Sequence, residues 1–252
     1  IYSSDDKQAL QSEINQLTKE VDRISGDTEY NTKTLLDGSS DQRVYIREKD
    51  AAGNMTQVNS YITRTNFSDT VDAGKYELTV NSLATQASGS ISSAVKPSAE
   101  GTISINGVSV NVKADMTQDE YIQALQQAAT EAGTTMEVGQ SGIKFTSNDY
   151  GSDSNVNITL SASLSALAGA GYKTATDGSG NVESKNNGTD AVVTGGSNLS
   201  DKTIRADGNR VYVVGNSGFS MDFLLSSDID MTAGSKNLQI DISDIGNMAI
   251  QI

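Results

Sequence analysis

The sequence predicts an α+β chain that is mostly β, with one long helix near the start and β-rich domains after it, including a small ββαβββ module. Three observations carry this. Leu10, Ile14, Leu17, Val21 and Ile24 are spaced four, three, four and three residues apart, which puts them on one stripe of a helix. From Arg43 onward the apolar period changes to alternation. The stretch "GTISINGVSVNV", Gly101–Val112, alternates toward and then away from an Asn106–Gly107 turn, the pattern of a two-residue hairpin.

The helix is expected over residues 5–25. Asp5 serves as N-cap with Gln8 as its capping-box partner, and Gly26 takes the left-handed position after the last turn. Lys19 and Arg23 sit near the C-terminal end, where cations suit the helix dipole. Burying five aliphatic side chains is worth on the order of 8–10 kcal/mol, and an isolated helix of about 20 residues is marginal in water, so the stripe requires a cover. Beyond Gly26, Tyr30, Leu35 and Leu36 are placed to fold back over one end.

Strands are expected at Arg43–Glu48, Met55–Arg64 and Lys75–Val80, with "DAAGN", Asp50–Asn54, turning between the first two. Ser82–Val95 is small and polar, ends near the single proline, Pro97, and reads as a domain edge. After the Asn106–Gly107 hairpin, Thr117 and Glu120 form a capping box for a helix that carries Tyr121, Ile122, Leu125, Ala128, Ala129 and Ala132 and stops at Gly133. Strands follow at Thr135–Val138, Gly142–Thr146 and Asn155–Leu160, which completes ββαβββ with the helix over one sheet face. A Gly-, Asn-, Ser- and Thr-rich stretch follows, alternation resumes at Arg210–Val214 and Ser220–Leu224, and Met248, Ile250 and Ile252 begin one more strand. The expected divisions are 1–44, 45–98, 99–165, 166–235 and 236–252. No later segment offers a second long helix, so the first stripe has no full-length partner here. The chain opens without Met at Ile1 and stops inside an alternating run, and it reads as the middle portion of something longer.

Composition narrows the chemistry. Counting Gly in place of Tyr, roughly 40% of residues are apolar, below the ~45–50% of ordinary domains, so surface should be high relative to core. Eighteen basic against thirty-two acidic residues give a net charge of −14, which repels nucleic acid and anionic membranes. No run approaches transmembrane length and no signal-peptide pattern is present. With neither Cys nor His, disulfides, thiolate and imidazole catalysis and nearly all zinc or haem sites drop out. The carboxylate pairs Asp5–Asp6, Asp119–Glu120 and Asp228–Asp230 are what a glycosidase would use, but two of them sit at helix N-termini, where acids are expected anyway. We therefore expect no enzyme and no cofactor. "DGSGNVE", Asp177–Glu183, alternates oxygen ligands as a calcium loop does, yet lacks Gly at its sixth position and Glu at its twelfth, where Gly188 stands, so a plain turn is expected. Asn54, Asn66, Asn157, Asn187 and Asn198 each head an Asn-X-Ser/Thr sequon, which so polar a chain also produces by chance.

"LQSEINQLTKEVDRISGDTEYNTKTLLDG", Leu10–Gly38, resembles the stem segment of bacterial flagellins: an L-Q-x-E-I start, a D-R-I exit and a Y-N-x-x-x-L-L-D-G turn. "GTISINGVSVNV" and its helix are similar to the I-N-G module of flagellins and hook-associated proteins, and "GNMAIQI" to the strand returning to the stem. The resemblance implies a helical stem remnant, outer domains between, and a return to the stem, with the long terminal helices of the family outside this chain. It implies a self-assembling filament subunit, secreted through the flagellar export apparatus, whose partners are other flagellin subunits, an export chaperone and a cap protein. The Cys-free composition suits export as an unfolded chain. Leu10, Ile14, Leu17, Val21 and Ile24 would be stem-packing residues; a dimerising coiled coil is the other packing, for which about two and a half heptads is short. The resemblance also places Glu13 and Gln16 where some flagellins meet a Toll-like receptor, although Leu17 and Thr18 depart from receptor-stimulating members; otherwise the two are a solvated face. Two other readings stay open. "GKYELTVNSLATQ", Gly74–Gln86, and the I-N-G module suit a hook-associated or cap protein, and Tyr and Asn side chains suit a glycan-binding surface adhesin module.

Overall fold

The computed structural model of the protein describes residues 42–244 together with 29–30 and 33–34. The predicted first helix, with its stripe Leu10, Ile14, Leu17, Val21 and Ile24, and the final run from Met248 to Ile252 lie outside the described residues.

The fold is mostly β. In chain order the elements are β1 (Glu29–Tyr30), β2 (Lys33–Thr34), β3 (Gln42–Lys49), β4 (Met55–Gln57), β5 (Ile62–Phe67), β6 (Gly74–Ser82), β7 (Gln86–Ile91), β8 (Gly101–Ile105), β9 (Val108–Val112), α1 (Gln118–Glu131), β10 (Thr134–Gly139), β11 (Gly142–Tyr150), β12 (Asn155–Leu160), β13 (Lys173–Thr174), β14 (Val182–Asn187), β15 (Val192–Gly195), β16 (Thr203–Asp207), β17 (Arg210–Val214), β18 (Ser220–Leu225) and β19 (Lys236–Asp244). Among the described residues no helix is long and apolar enough to cross a membrane.

The chain folds into two compact units. Among the described residues, one draws on those up to Asn81, on Val193–Arg205 and on those from Arg210 onward. It holds a five-stranded sheet in the order β15-β6-β19-β3-β4 and a four-stranded sheet in the order β16-β17-β18-β5. Alternation decides which side of each strand is buried. Ile46, Leu78, Val80, Leu238, Ile240 and Ile242 line the inner side of the first sheet, and Val211, Val213, Met221, Phe223 and Leu225 that of the second. The expected Met55–Arg64 strand is split. Asn59 interrupts it with a short 3₁₀ turn, its side-chain Oδ1 accepting from Ile46 N at 2.9 Å, so β4 stays on the first sheet and β5 joins the second.

The other unit spans Ser82–Val192 with Ala206–Asn209. The six elements read as ββαβββ are present in that order, but they do not form one sheet. β10, β11 and β7 form one sheet in that order, while β8, β9 and β12 belong to another in the order β13-β14-β12-β8-β9. Strand β7, "QASGSI", is too rich in Ser and Gly to show a strand pattern; its pairing with β11, Ile91 opposite Ile143 and Gly89 opposite Phe145, makes it one. Helix α1 begins with the expected capping box, Thr117 Oγ1 accepting from Glu120 N and Glu120 Oε2 from Thr117 N, and buries Tyr121, Leu125, Ala128 and Ala129. With no partner for its hydroxyl among the described residues, the buried Tyr121 phenol is pushed up to about 12.

The Asn106–Gly107 turn explains why this module carries Asn at that point. Both residues have positive φ, 47° and 87°, as the hairpin twist requires. Asn106 then ties three elements together. Its Nδ2 donates to Ala132 O, at the end of α1, and to Asn155 O, while its Oδ1 accepts from Asn157 N at 2.8 Å on β12. A helix-end carbonyl that would otherwise lack a partner is satisfied by the turn.

Candidate functional site

In the first unit, β3 and β19 run antiparallel in unbroken register from Asn237 opposite Lys49 to Asp244 opposite Gln42. Gln42 and Asp244, far apart in sequence, are therefore direct neighbours. Cross-strand charges reinforce this pairing: Lys236 Nζ lies 2.9 Å from Glu48, which raises the Lys236 pKa, and Arg47 lies 3.6 Å from Asp241. β19 pairs on its other side with β6, so both strands lie inside the five-stranded sheet.

One carboxylate of each described pair is engaged in a turn or a cap. Glu120 is committed to the cap of α1, which holds its carboxyl below the usual range, first through the backbone bond from Thr117. Asp230 accepts from Thr232 Oγ1 and N, and these bonds likewise lower it. A glycosidase acid needs the opposite shift. Asp5–Asp6 lies outside the described residues. Asp177 accepts from Ser179 Oγ and N at 2.6 and 2.9 Å, the turn expected in place of a calcium loop. Among the described residues no group of three or more acidic side chains is arranged to hold a metal ion.

The five sequon asparagines all have their Nδ2 engaged: Asn54 with Asp50, Asn66 with Asp222, Asn157 with Asn155, Asn187 with Ser152 O and Asn198 with Lys75 O. In the second unit a cleft of about 480 Å³ opens beside β7 and the β10–β11 turn, lined by Ser88, Ser90, Glu137, Lys144 and Asn186 among others, with no aromatic side chain. An Asn of the kind expected for glycan binding is there; a Tyr is not.

Asp190 is the most heavily bonded carboxylate missed by sequence reasoning. It accepts from Ser152 Oγ at 2.6 Å, Ser152 N at 2.9 Å and Gly208 N at 2.8 Å. The Ser152 hydroxyl, then the two backbone donors, hold its pKa below the ordinary 3.8. A carboxylate lowered by folding contributes stability that is full above 3.8 and is lost as pH falls through its lower, folded value. Asp190→Asn is expected to cost about 1–2 kcal/mol at neutral pH and to flatten the acid limb of stability, read by urea unfolding from pH 7 to pH 2.

Residues 1–41 match the family described as the bacterial flagellin N-terminal helical region. A 69-residue stretch is 42% identical to a flagellin of Clostridium tyrobutyricum. The opening of the chain is thus similar to flagellins. The aligned stretch is 27% of this chain and spans only 18% of that Clostridium flagellin. In three dimensions the chain is similar to the D2-D3 domains of the flagellar cap protein FliD from Escherichia coli, at 16% identity over 80% of this chain and 100% of that one, with a TM-score of 0.46. The corresponding Serratia marcescens domains give 17% identity, coverage of 70% and 98%, and a TM-score of 0.37. Glu13, Gln16 and the stripe residues Leu10, Ile14, Leu17, Val21 and Ile24 fall within the matched flagellin region and outside the described residues.

Proposed function

We propose that this chain is part of a structural, non-catalytic subunit of the bacterial flagellar filament, extracellular and exported as an unfolded chain, with its β-rich domains displayed on the filament surface. The observation that carries the proposal is the flagellin N-terminal match over residues 1–41, directly before a root that brings Gln42 and Asp244 together. An out-and-back excursion from a paired base allows a large surface domain to be inserted into an assembling stem without disturbing it. In this reading Leu10, Ile14, Leu17, Val21 and Ile24 pack in the stem of neighbouring flagellin subunits, the export chaperone and the cap protein act on the full-length chain, and Glu13 and Gln16 are offered to a Toll-like receptor.

The full-length gene, expressed in a host lacking its own flagellin, should restore filaments and swimming. Ile14→Asp should abolish both while leaving the folded β domains intact by circular dichroism. The chain alone should sediment as a monomer in dilute solution; a tight oligomer or spontaneous filaments would count against the reading. A cap or hook-associated role is the second reading, favoured by the Gly74–Gln86 and I-N-G stretches, and predicts label confined to the filament tip or base. An adhesin role predicts saccharide binding in the Ser88–Asn186 cleft in a glycan screen.

A further inference from the structure

Strand β7 is fully paired on one side only. β11 takes one edge, and the other is met by the chain at two points, Thr85 bridging to Thr189 before the strand and Ile91 to Ala168 at its end. Between these bridges lies a gap at Ser88–Ser90. Backbone groups of successive residues in a strand point to opposite edges. A Cβ on Gly142, in β11, would stand 2.0 Å from Ile91 O, so Ile91 faces β11. Ser90 O, which accepts from the Tyr172 hydroxyl at 3.1 Å, and Ser92 N, which donates to Leu167 O at 2.8 Å, face the other way, and Ser88 falls in step with them. Among the described residues Ser88 N, Ser88 O and Ser90 N have no hydrogen-bond partner, and both serines are exposed.

This gap opens into the cleft of about 480 Å³, a volume in the range that holds drug-sized ligands. Strand β14 forms its far wall. Ser184 and Asn186 lie opposite Ile158 and Val156, so their side chains share the inner face with those fully buried aliphatics, where core packing calls for apolar residues. Ser184, only 5% exposed, instead accepts from Asn186 Nδ2 at 2.9 Å; among the described residues its own proton has no acceptor and Asn186 Oδ1 has no donor. Gly89 lets β7 approach this wall, since a Cβ there would stand 3.0 Å from Asn186 Nδ2.

The cleft thus offers three donors, Ser88 N, Ser90 N and the Ser184 hydroxyl, and two acceptors, Ser88 O and Asn186 Oδ1. An exposed strand edge complements another extended main chain, which carries donors and acceptors in alternation. Glu137 and Lys144 are its only charges and cancel, and no aromatic side chain presents a face to a sugar ring. Its apolar lining is Ile91 and Ile143, both fully buried, and Ala170, so it holds no pocket for a large apolar group.

We infer that this cleft binds a short, extended, uncharged peptide segment of another protein, with small side chains, which adds to β7 at Ser88–Ser90 and is held from the far side by Ser184 and Asn186. The inference goes beyond the filament reading and does not depend on it.

The test is a titration of the ¹⁵N-labelled chain, followed by amide chemical shifts and hydrogen exchange, with the blocked hexapeptide acetyl-Ala-Thr-Ala-Thr-Ala-Thr-amide. Two further probes are the same peptide N-methylated at every residue, which keeps the side chains and removes the main-chain donors, and tri-N-acetylchitotriose, which carries acetamido groups on sugar rings. The expected result is saturable movement and slowed exchange of the Ser88 and Ser90 amides with the hexapeptide, with the N-methylated peptide at least about tenfold weaker, the effect of losing one to two hydrogen bonds. No movement of these amides at peptide concentrations up to about 10 mM overturns the inference, as does equal binding of the two peptides. Chitotriose moving these amides while the hexapeptide does not also overturns it and assigns the cleft to a saccharide. Filament restoration by the wild-type gene is read separately, so the two readings can fail independently.

Discussion

Gly142→Ala is expected to lower the stability of the second unit by more than about 4 kcal/mol, measured by urea unfolding, with Gln140→Ala in the same turn as a control that changes it by less than about 0.5 kcal/mol. Two separate causes converge on Gly142. Its φ is +134°, a region closed to side chains with a Cβ. A Cβ there would also stand 2.0 Å from the carbonyl oxygen of Ile91. That oxygen belongs to β7, so the methyl group can be accommodated only by parting β7 from β11 where Ile143 pairs with Ile91, both fully buried. A loss of about 1 kcal/mol would mean that the strands part freely at this end and that the β7–β11 pairing does not set the unit's stability.

Asn106→Ala should cost about 3–4 kcal/mol. Three polar groups, Ala132 O, Asn155 O and Asn157 N, lose their partners at about 1 kcal/mol each, and a residue with a Cβ must then hold the positive φ at roughly a further 1 kcal/mol. Asn106→Gly separates the two contributions, because it relieves the backbone while leaving the polar groups unpaired; about 2–3 kcal/mol is expected. Asn106→Asp keeps the acceptor for Asn157 N but sets a carboxylate against two carbonyl oxygens, so it should be worse than Gly above the carboxylate pKa and improve as pH falls. Equal losses for Gly, Ala and Asp would show that the side-chain bonds contribute little and that the turn conformation alone matters.

Much of the second unit was legible because its signals are local. The Asn106–Gly107 turn, the Thr117–Glu120 box and the alternation of Ile103, Ile105, Val110 and Val112 each need only a few neighbouring residues, and the hairpin and α1 lie where these signals place them. Strand β7 was not legible, since Ser88, Gly89 and Ser90 carry no alternating apolar pattern. Gly89 is small for a tertiary reason: a Cβ there would come within 3.0–3.2 Å of Asn186, Ile158 and Val156. The split of Met55–Arg64 between two sheets was equally hidden, because the turn that divides it depends on Asn59 reaching Ile46 N, thirteen residues away.

The sites follow the same division. That Asp177 belongs to a turn and Glu120 to a cap could be read from adjacent residues. Asp190 could not, because its donors on Ser152 and Gly208 lie 38 and 18 residues away in the chain.

By itself the sequence determined the flagellin resemblance, the mostly β class, the acidic charge and the absence of thiol and imidazole chemistry, all properties of composition or of residues close along the chain. Only the tertiary structure decided which strands share a sheet, that Gln42 and Asp244 pair, and that Asp190 meets donors on Ser152 and Gly208. Strand pairing joins residues far apart in sequence through backbone groups that every residue possesses, so the order of side chains alone does not encode which partner each strand will find.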